Sequence, residues 1–237
     1  MAAVLGSGPE NLLDEDAVTT IKVRVHTMPQ GSAAKKTRLA QAALVCGEAF
    51  QRSAERFIPR IRAINENSST VMSDELGDLV ACATNLAFAL ELYLKALLAQ
   101  LDLPVPQNHD LRALFDGLPQ PVRVLIERTY LEALPDDVRV LGGRTTVVLA
   151  CGPLERPRFE DSNASPALPD LLARSKDLFQ SWRYAFEFSQ PDGSPYQFRR
   201  FEYGFLRRAA EVMRVEVTVR LSEAGVIPLP DPLPVRS

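Results

Sequence analysis

The sequence predicts an all-α protein, a helical bundle with a small β-hairpin or strand as an appendage. Residues 79–101 are apolar almost without interruption, and a helix that is apolar nearly all round belongs in the middle of a core. The segments on either side repeat apolar residues at about the 3.6-residue period of an amphipathic helix. Residues 135–167 instead contain short runs in which apolar and polar residues alternate, together with glycines and prolines. These features are typical of strands and turns. We therefore expect the other helices to pack around residues 79–101.

The individual helices are predicted from their start and stop signals. The central helix begins after Ser73, an N-cap residue, and ends at the proline-bearing loop 103–106, since proline inside a helix costs about 3 kcal/mol. A long helix before it starts near Ser32, and Pro59 kinks or ends it. Three further helices are predicted over residues 122–134, 168–188 and 197–221. The core-facing residues of the first helix are predicted to be Leu39, Ala42, Ala43, Cys46, Ala49, Phe50, Phe57, Ile61 and Ile64.

Two segments carry the β signal. Residues 138–141 and 145–149 flank Gly142-Gly143, which predicts a hairpin with a two-residue turn. Because an isolated hairpin is only marginally stable, we expect it to pair with the alternating segment 18–26. The predicted domains are an N-terminal arm with this possible strand, a bundle with an insertion, and a proline-rich tail. Their limits are 1–31, 32–221 with the insertion at 135–167, and 222–237.

Composition excludes several classes of function. The net charge is -3, so any nucleic-acid site must be a local basic patch. The cysteines, Cys46, Cys82 and Cys151, have no CxxC spacing. Because Cys46 and Cys82 fall within helical apolar patterns, we expect buried free thiols in a reducing compartment. Two isolated histidines and unclustered cysteines give no metal ligand set, and no cofactor is predicted.

The sequence predicts a soluble, cytoplasmic protein. The N-terminal residues have neither a basic start nor a long apolar run, so they do not form a signal peptide. Residues 79–101 are the one candidate for a membrane span. Glu91 and Lys95 near its centre would cost about 2.5–3.5 kcal/mol each on insertion scales, so no membrane partner is expected.

The central stretch resembles the HEPN family. The resemblance is carried by residues 89–98 (ALELYLKALL), the proline-bearing loop, His109-Asp110-Leu111 and Leu114, and it extends weakly to Trp182-Arg183-Tyr184 and Glu187. HEPN proteins are small up-and-down helical bundles, often dimeric, and many act in prokaryotic toxin–antitoxin and defence systems, so the resemblance implies an up-and-down bundle of HEPN type. Some are ribonucleases whose signature is an Arg followed four to six residues later by a His. Neither His26 nor His109 has an Arg at that spacing before it, so this chain lacks the signature.

The first candidate site combines charged residues of the central stretch with a later helix: Glu91, Lys95, His109, Asp110, Arg183 and Glu187. One interpretation is a polar cleft that binds a phosphate or nucleotide, with His109 as acid or base. The other is structural. Asp110 would be an N-cap, His109 would bond to a helix end, and Glu91 and Lys95 would neutralise each other.

The second candidate site is aromatic and basic, because aromatic planes beside guanidinium groups can stack bases and hold phosphates. Its residues are Trp182, Arg183, Tyr184, Arg199, Arg200, Arg207, Arg208 and Arg214. Arg52, Arg56 and Arg60, four apart on the first helix, form either a solvated face or a phosphate-binding stripe. The structural alternatives are that Trp182 belongs to the core and that Arg183 pairs with Glu187.

By resemblance, the leading functional hypothesis is a homodimeric component of a prokaryotic defence or toxin–antitoxin system that binds RNA or a nucleotide. If the protein is catalytic, His109 and Arg183 carry the reaction, and Glu91, Lys95, Asp110, Tyr184 and Glu187 bind the ligand. The alternative is a non-enzymatic adaptor that holds a protein partner with the bundle face and the proline-rich tail.

Overall fold

The fold is known from a computed structural model that describes residues 32–60, 73–134, 145–147, 165–183 and 199–228. These residues form seven helices and two short strands, and residues 58–60 are also helical. In chain order the elements are α1 (Ser32–Glu55), α2 (Ser73–Gln100), α3 (Leu111–Asp116), α4 (Gln120–Ala133), β1 (Thr145–Val147), α5 (Leu168–Arg174), α6 (Leu178–Arg183), β2 (Arg199–Phe201) and α7 (Tyr203–Glu223).

Helix α2 is the centre of the core, and it packs against α1, α3, α6 and α7. The mainly helical structure and the buried α2 confirm the all-α prediction. Among the described residues, the part Gly77–Gln100 has the length and apolar composition to cross a membrane, but most of it is buried inside the protein. Its fully buried large side chains include Leu79, Leu86, Leu90, Tyr93, Leu94 and Leu97.

Helices α1 and α2 come very close at Gly47. A Cβ atom added to Gly47 would lie 2.6 Å from Cε1 of Tyr93, which is shorter than any real contact of that kind. Tyr93 is fully buried, and its hydroxyl donates a hydrogen bond of 2.8 Å to Oε1 of Gln51 on α1. Burial and the nearby Glu48 carboxylate raise the pKa of Tyr93. The hydroxyl therefore stays a neutral donor that joins the two helices.

Two helices end in Schellman motifs, which satisfy the last carbonyl groups of a helix. At the end of α2, the Leu103 N–H bonds to the Leu98 carbonyl at 2.9 Å, and Asp102 adopts a positive φ of 61°. At the end of α7, the Val226 N–H bonds to the Leu221 carbonyl at 2.9 Å, and the positive φ belongs to a glycine, Gly225. Helix α2 thus ends one turn before its proline-bearing loop, through backbone hydrogen bonds.

The predicted inward face of α1 is partly wrong. Leu39, Ala42, Cys46 and Ala49 are exposed, and the exposed Cys46 also contradicts the expectation of a buried thiol. Alanines occur on both sides of α1, so apolar periodicity could not determine which side meets α2. The close approach at Gly47 selects the other side, whose buried residues are Ala40, Ala43, Leu44, Gln51 and Ala54.

The helices after residue 167 are shorter than predicted. The helix predicted over 168–188 is interrupted by a turn at 175–177, which separates α5 from α6. The last helix begins at Tyr203 and not near residue 197, because Arg199–Phe201 form strand β2. Phe198 and Phe201 are three residues apart, a spacing that suits a helix. The apolar periodicity therefore predicted a helix where the structure has a strand. The predicted helical continuation through residues 215–219 is confirmed, since α7 extends to Glu223.

Strand β1 pairs antiparallel with β2, and Thr145 lies opposite Phe201. The hairpin partner predicted for β1, residues 138–141, and the predicted strand at 18–26 lie outside the described residues. The predicted domain limits likewise stay predictions.

Candidate functional site

A buried carboxylate lies at the centre of the candidate site. Glu91 on α2 is 2% exposed. Its Oε1 accepts a hydrogen bond of 2.7 Å from Nζ of Lys95, one turn later, and its Oε2 lies 2.8 Å from Nδ1 of His109. A buried charge is tolerated only when it is paired and hydrogen-bonded. The Lys95 ammonium and the His109 ring together meet that requirement.

The local fold brings His109 back to Glu91. After the Schellman motif, the proline-bearing loop reverses the chain, and Asp110 then caps α3 by accepting a hydrogen bond of 2.9 Å from the Ala113 N–H. This cap determines where the residue before it lies. His109 therefore reaches α2 about two turns before the helix ends.

A row of aromatic rings borders the imidazole. The ring of Phe179 on α6 lies 5.1 Å from that of His109, with an interplanar angle of 31°. Phe179 stacks on Phe88 at 5.1 Å, and Phe88 meets Phe50 edge-on at 4.6 Å. Contacts at these distances are typical of favourable aromatic pairs. The row packs against the imidazole, while the hydrogen bond to Glu91 is made at the edge of that ring.

The arrangement leaves one ring nitrogen available for chemistry. The Glu91 carboxylate occupies Nδ1, and no described residue forms a hydrogen bond with Nε2. The His109 side chain is 36% exposed. A carboxylate bonded to one nitrogen fixes the tautomer and orientation of the ring, which suits the other nitrogen to bind an anion or transfer a proton.

The structure brings together three of the predicted site residues, Glu91, Lys95 and His109, with Asp110 directly beside them. The structural interpretation is confirmed for the Asp110 cap and the Glu91–Lys95 pair. It is wrong for His109, which bonds to a side chain and not to a helix end. Arg183 lies one turn after Phe179 on α6. The side chains of Trp182 and Arg183, and the residues Tyr184 and Glu187, lie outside the described part.

Sequence reasoning missed the roles of Phe88 and Phe179. Both fit the apolar stripes of their helices, and a stripe contains no signal that separates a core ring from a ring beside an imidazole. Only the packing of α6 against α2 reveals the difference.

The arginines of α7 lie against carboxylates. Arg207 is 3.3 Å from Glu55, and Arg214 is 3.5 Å from Glu48. With Gln51, Arg52 and Glu211, these residues border a cleft of about 300 Å³ between α1 and α7. Each arginine there faces an acid, so the second candidate site stays a prediction. The side chains of Arg199 and Arg200 lie outside the described part.

The described residues contain no group of three or more His, Cys, Asp or Glu side chains that could hold a metal ion.

Residues 62–139 match the family model of the HEPN domain. This part of the chain is a HEPN domain. It includes α2, α3 and α4, and with them Glu91, Lys95, His109 and Asp110. Searches of curated proteins and of solved structures find no match to the chain. The HEPN domain is packed against α1, α6 and α7, which lie outside the matched residues.

Proposed function

We propose that the site around His109 binds RNA or a nucleotide, and that the protein acts in a prokaryotic defence or toxin–antitoxin system. One observation carries the proposal: a part-exposed imidazole is held by a buried carboxylate, and its other nitrogen has no hydrogen-bond partner among the described residues.

The chemistry of the neighbouring residues supports a phosphate ligand. Lys95 is 18% exposed and adds a positive charge next to the imidazole. Phe179 lies between Phe88 and the His109 ring, so it positions the imidazole that would contact the ligand. Arg183, one turn further along α6, is the candidate for a second phosphate contact. In this proposal His109 serves as acid or base if the RNA is cleaved.

Binding is tested with a fluorescently labelled single-stranded RNA and with ATP, by anisotropy and calorimetry. We expect His109→Ala and Lys95→Met each to weaken binding by about tenfold, the loss of one charge-assisted contact. Arg128→Ala is the matched control, because Arg128 is an exposed cation on α4 of the HEPN domain, and it should leave binding unchanged. Circular dichroism establishes that each variant is folded.

An RNA-degradation assay on the wild type and His109→Ala separates binding from cleavage. Activity that His109→Ala removes assigns catalysis to the site. The proposal would be overturned if His109→Ala and Lys95→Met both bound RNA and ATP with the affinity of the wild type. That result would favour the non-enzymatic adaptor.

A further inference from the structure

The side of α1 that faces away from α2 has an unusual composition. From residue 34 to residue 60, every exposed residue is apolar or basic. Leu39 and Val45 are 52% and 58% exposed, although both are large apolar side chains. We define the α1 outer face as the exposed residues Lys35, Arg38, Leu39, Ala42, Val45, Cys46, Ala49, Arg52 and Arg56.

The apolar residues of the α1 outer face form a seam. Leu39, Ala42, Cys46 and Ala49 follow one another at intervals of three, four and three residues. This is the spacing with which one helix packs along another. Three of the four side chains are small, so a second helix can approach closely.

The ends of the face are positive. Lys35 lies at one end, and Arg52 and Arg56 lie at the other. Both acids of α1 are directed elsewhere: Glu55 pairs with Arg207, and Glu48 with Arg214.

Arg52 lies 3.9 Å from Glu48, yet its side chain is 66% exposed. A partner that binds this face therefore meets positive charge at both ends of an apolar seam.

These charges select among the possible occupants. A second copy of the chain, whether parallel or antiparallel, would place cations against cations at both ends. RNA would find no aromatic ring on the face to stack against. A membrane surface would gain little from a seam of small side chains, since interfacial helices insert large apolar residues. An amphipathic helix with acidic flanks satisfies both the seam and the charges.

We propose that the α1 outer face binds an acidic amphipathic helix of a partner protein. This interaction is separate from the His109 site and does not rest on the function proposed for it, because α1 lies outside the HEPN match.

The test uses a displayed library of helical hairpins in which one helix face is randomised, selected against the full-length protein. Clones that bind the wild type but not the double variant Leu39→Glu, Val45→Glu should carry a net negative charge on the randomised face. Their affinity should fall by about tenfold or more in that variant. Val124→Glu is the matched control, because Val124 is 56% exposed on α4, and it should leave binding unchanged.

Charge reversal provides the second arm. The variant Arg52→Glu, Arg56→Glu should bind the acidic clones at least about tenfold more weakly and select basic clones instead. Because all the altered residues are exposed, the variants should melt at the wild-type temperature.

The proposal would be overturned if no selected clone lost binding in Leu39→Glu, Val45→Glu. It would also be overturned if the clones that lose binding were neutral or basic. Displacement of the clones by phosphatidylserine vesicles or duplex RNA would assign the face to a membrane or to nucleic acid. A change of oligomeric state in Leu39→Glu, Val45→Glu would assign it to a second copy.

Discussion

Gly47 shows how one residue without a side chain determines the distance between two helices. Its position opposite the Tyr93 ring leaves no room for a methyl group. Tyr93 cannot move aside without breaking its buried hydrogen bond to Gln51. The sequence contains no signal for this role, because a glycine inside a predicted helix reads only as a weak helix former.

We predict that Gly47→Ala lowers the free energy of unfolding by about 1–3 kcal/mol, the usual cost of overpacking. Gly77→Ala is the control, since Gly77 lies on α2 with open space around it. That change should leave stability equal or raise it by up to about 1 kcal/mol. Urea denaturation measures both, and equal midpoints for the two variants would contradict the close contact.

The cysteines differ in environment in a way that periodicity could not reveal. Burial, together with the charge of Glu55, raises the pKa of the Cys82 thiol to about 12. At pH 8 only about one thiol in ten thousand is then ionised, and the thiolate is the reactive form. Cys46 is exposed on the α1 outer face.

We predict that a thiol reagent at pH 8 modifies Cys46 quickly and leaves Cys82 unmodified in the folded protein. Mass spectrometry of wild type, Cys46→Ser and Cys82→Ser assigns each site. Cys46→Ser should lose one rapidly modified position, and Cys82→Ser should lose none. Rapid labelling at Cys82 would show that α2 is not buried.

At the scale of elements, a buried ion pair joins α5 to the residue before α7. Glu202 is buried, and its Oε2 accepts a hydrogen bond of 3.1 Å from Nε of Arg174 at the end of α5. Arg174 also donates to the Ser165 carbonyl at 3.0 Å. Removal of one partner leaves a buried charge whose remaining contacts must compensate.

We predict that Arg174→Met lowers the free energy of unfolding by about 2–3 kcal/mol, below the full cost of breaking a buried pair because Arg174 is partly exposed. The double variant Arg174→Met, Glu202→Gln should recover part of that loss, since no charge is then left unpaired. Arg128→Met, an exposed arginine paired at 3.9 Å, should change stability by less than about 0.5 kcal/mol. Additive losses in the double variant would contradict the coupling.

The limits of the elements were predicted less well than their existence. The apolar residues before and after the turn at 175–177 lie seven residues apart and share one helical face, so the periodicity did not reveal the break. Strand β2 exists through its pairing with β1, a contact between segments far apart in the sequence. Local signals did predict the Asp110 cap and the end of α2 before its prolines.

At the scale of the whole molecule, α2 was predictable and the orientation of α1 was not. A helix apolar nearly all round lies in a core or in a membrane, and Glu91 and Lys95 disfavour the membrane. Helix α1 has alanines on two sides, so its orientation depends on packing. The cluster of Glu91, Lys95 and His109 could be predicted as a group because the loop returns the chain to its own helix. Phe179 comes from a distant segment and could not.

We predict that Leu94→Ala lowers the free energy of unfolding by about 2–5 kcal/mol, because Leu94 is fully buried on α2. Leu39→Ala, the same substitution on the exposed face of α1, should change it by less than about 0.5 kcal/mol. Thermal and urea unfolding measure both. Similar losses for the two would mean that the α1 outer face is covered within the folded chain.

The loop from residue 101 to residue 110 is fastened at both ends. A Schellman motif and the contact between Lys36 and Asp102 hold its start, and the Asp110 cap and the Glu91–His109 bond hold its end. Both ends of the loop therefore hold His109 beside Glu91. Loss of the contacts at either end should increase the mobility of the His109 side chain. Hydrogen exchange should therefore be slower at the amides of Leu101, Asp102 and Leu103, which donate hydrogen bonds, than at those of Gln107 and Asn108.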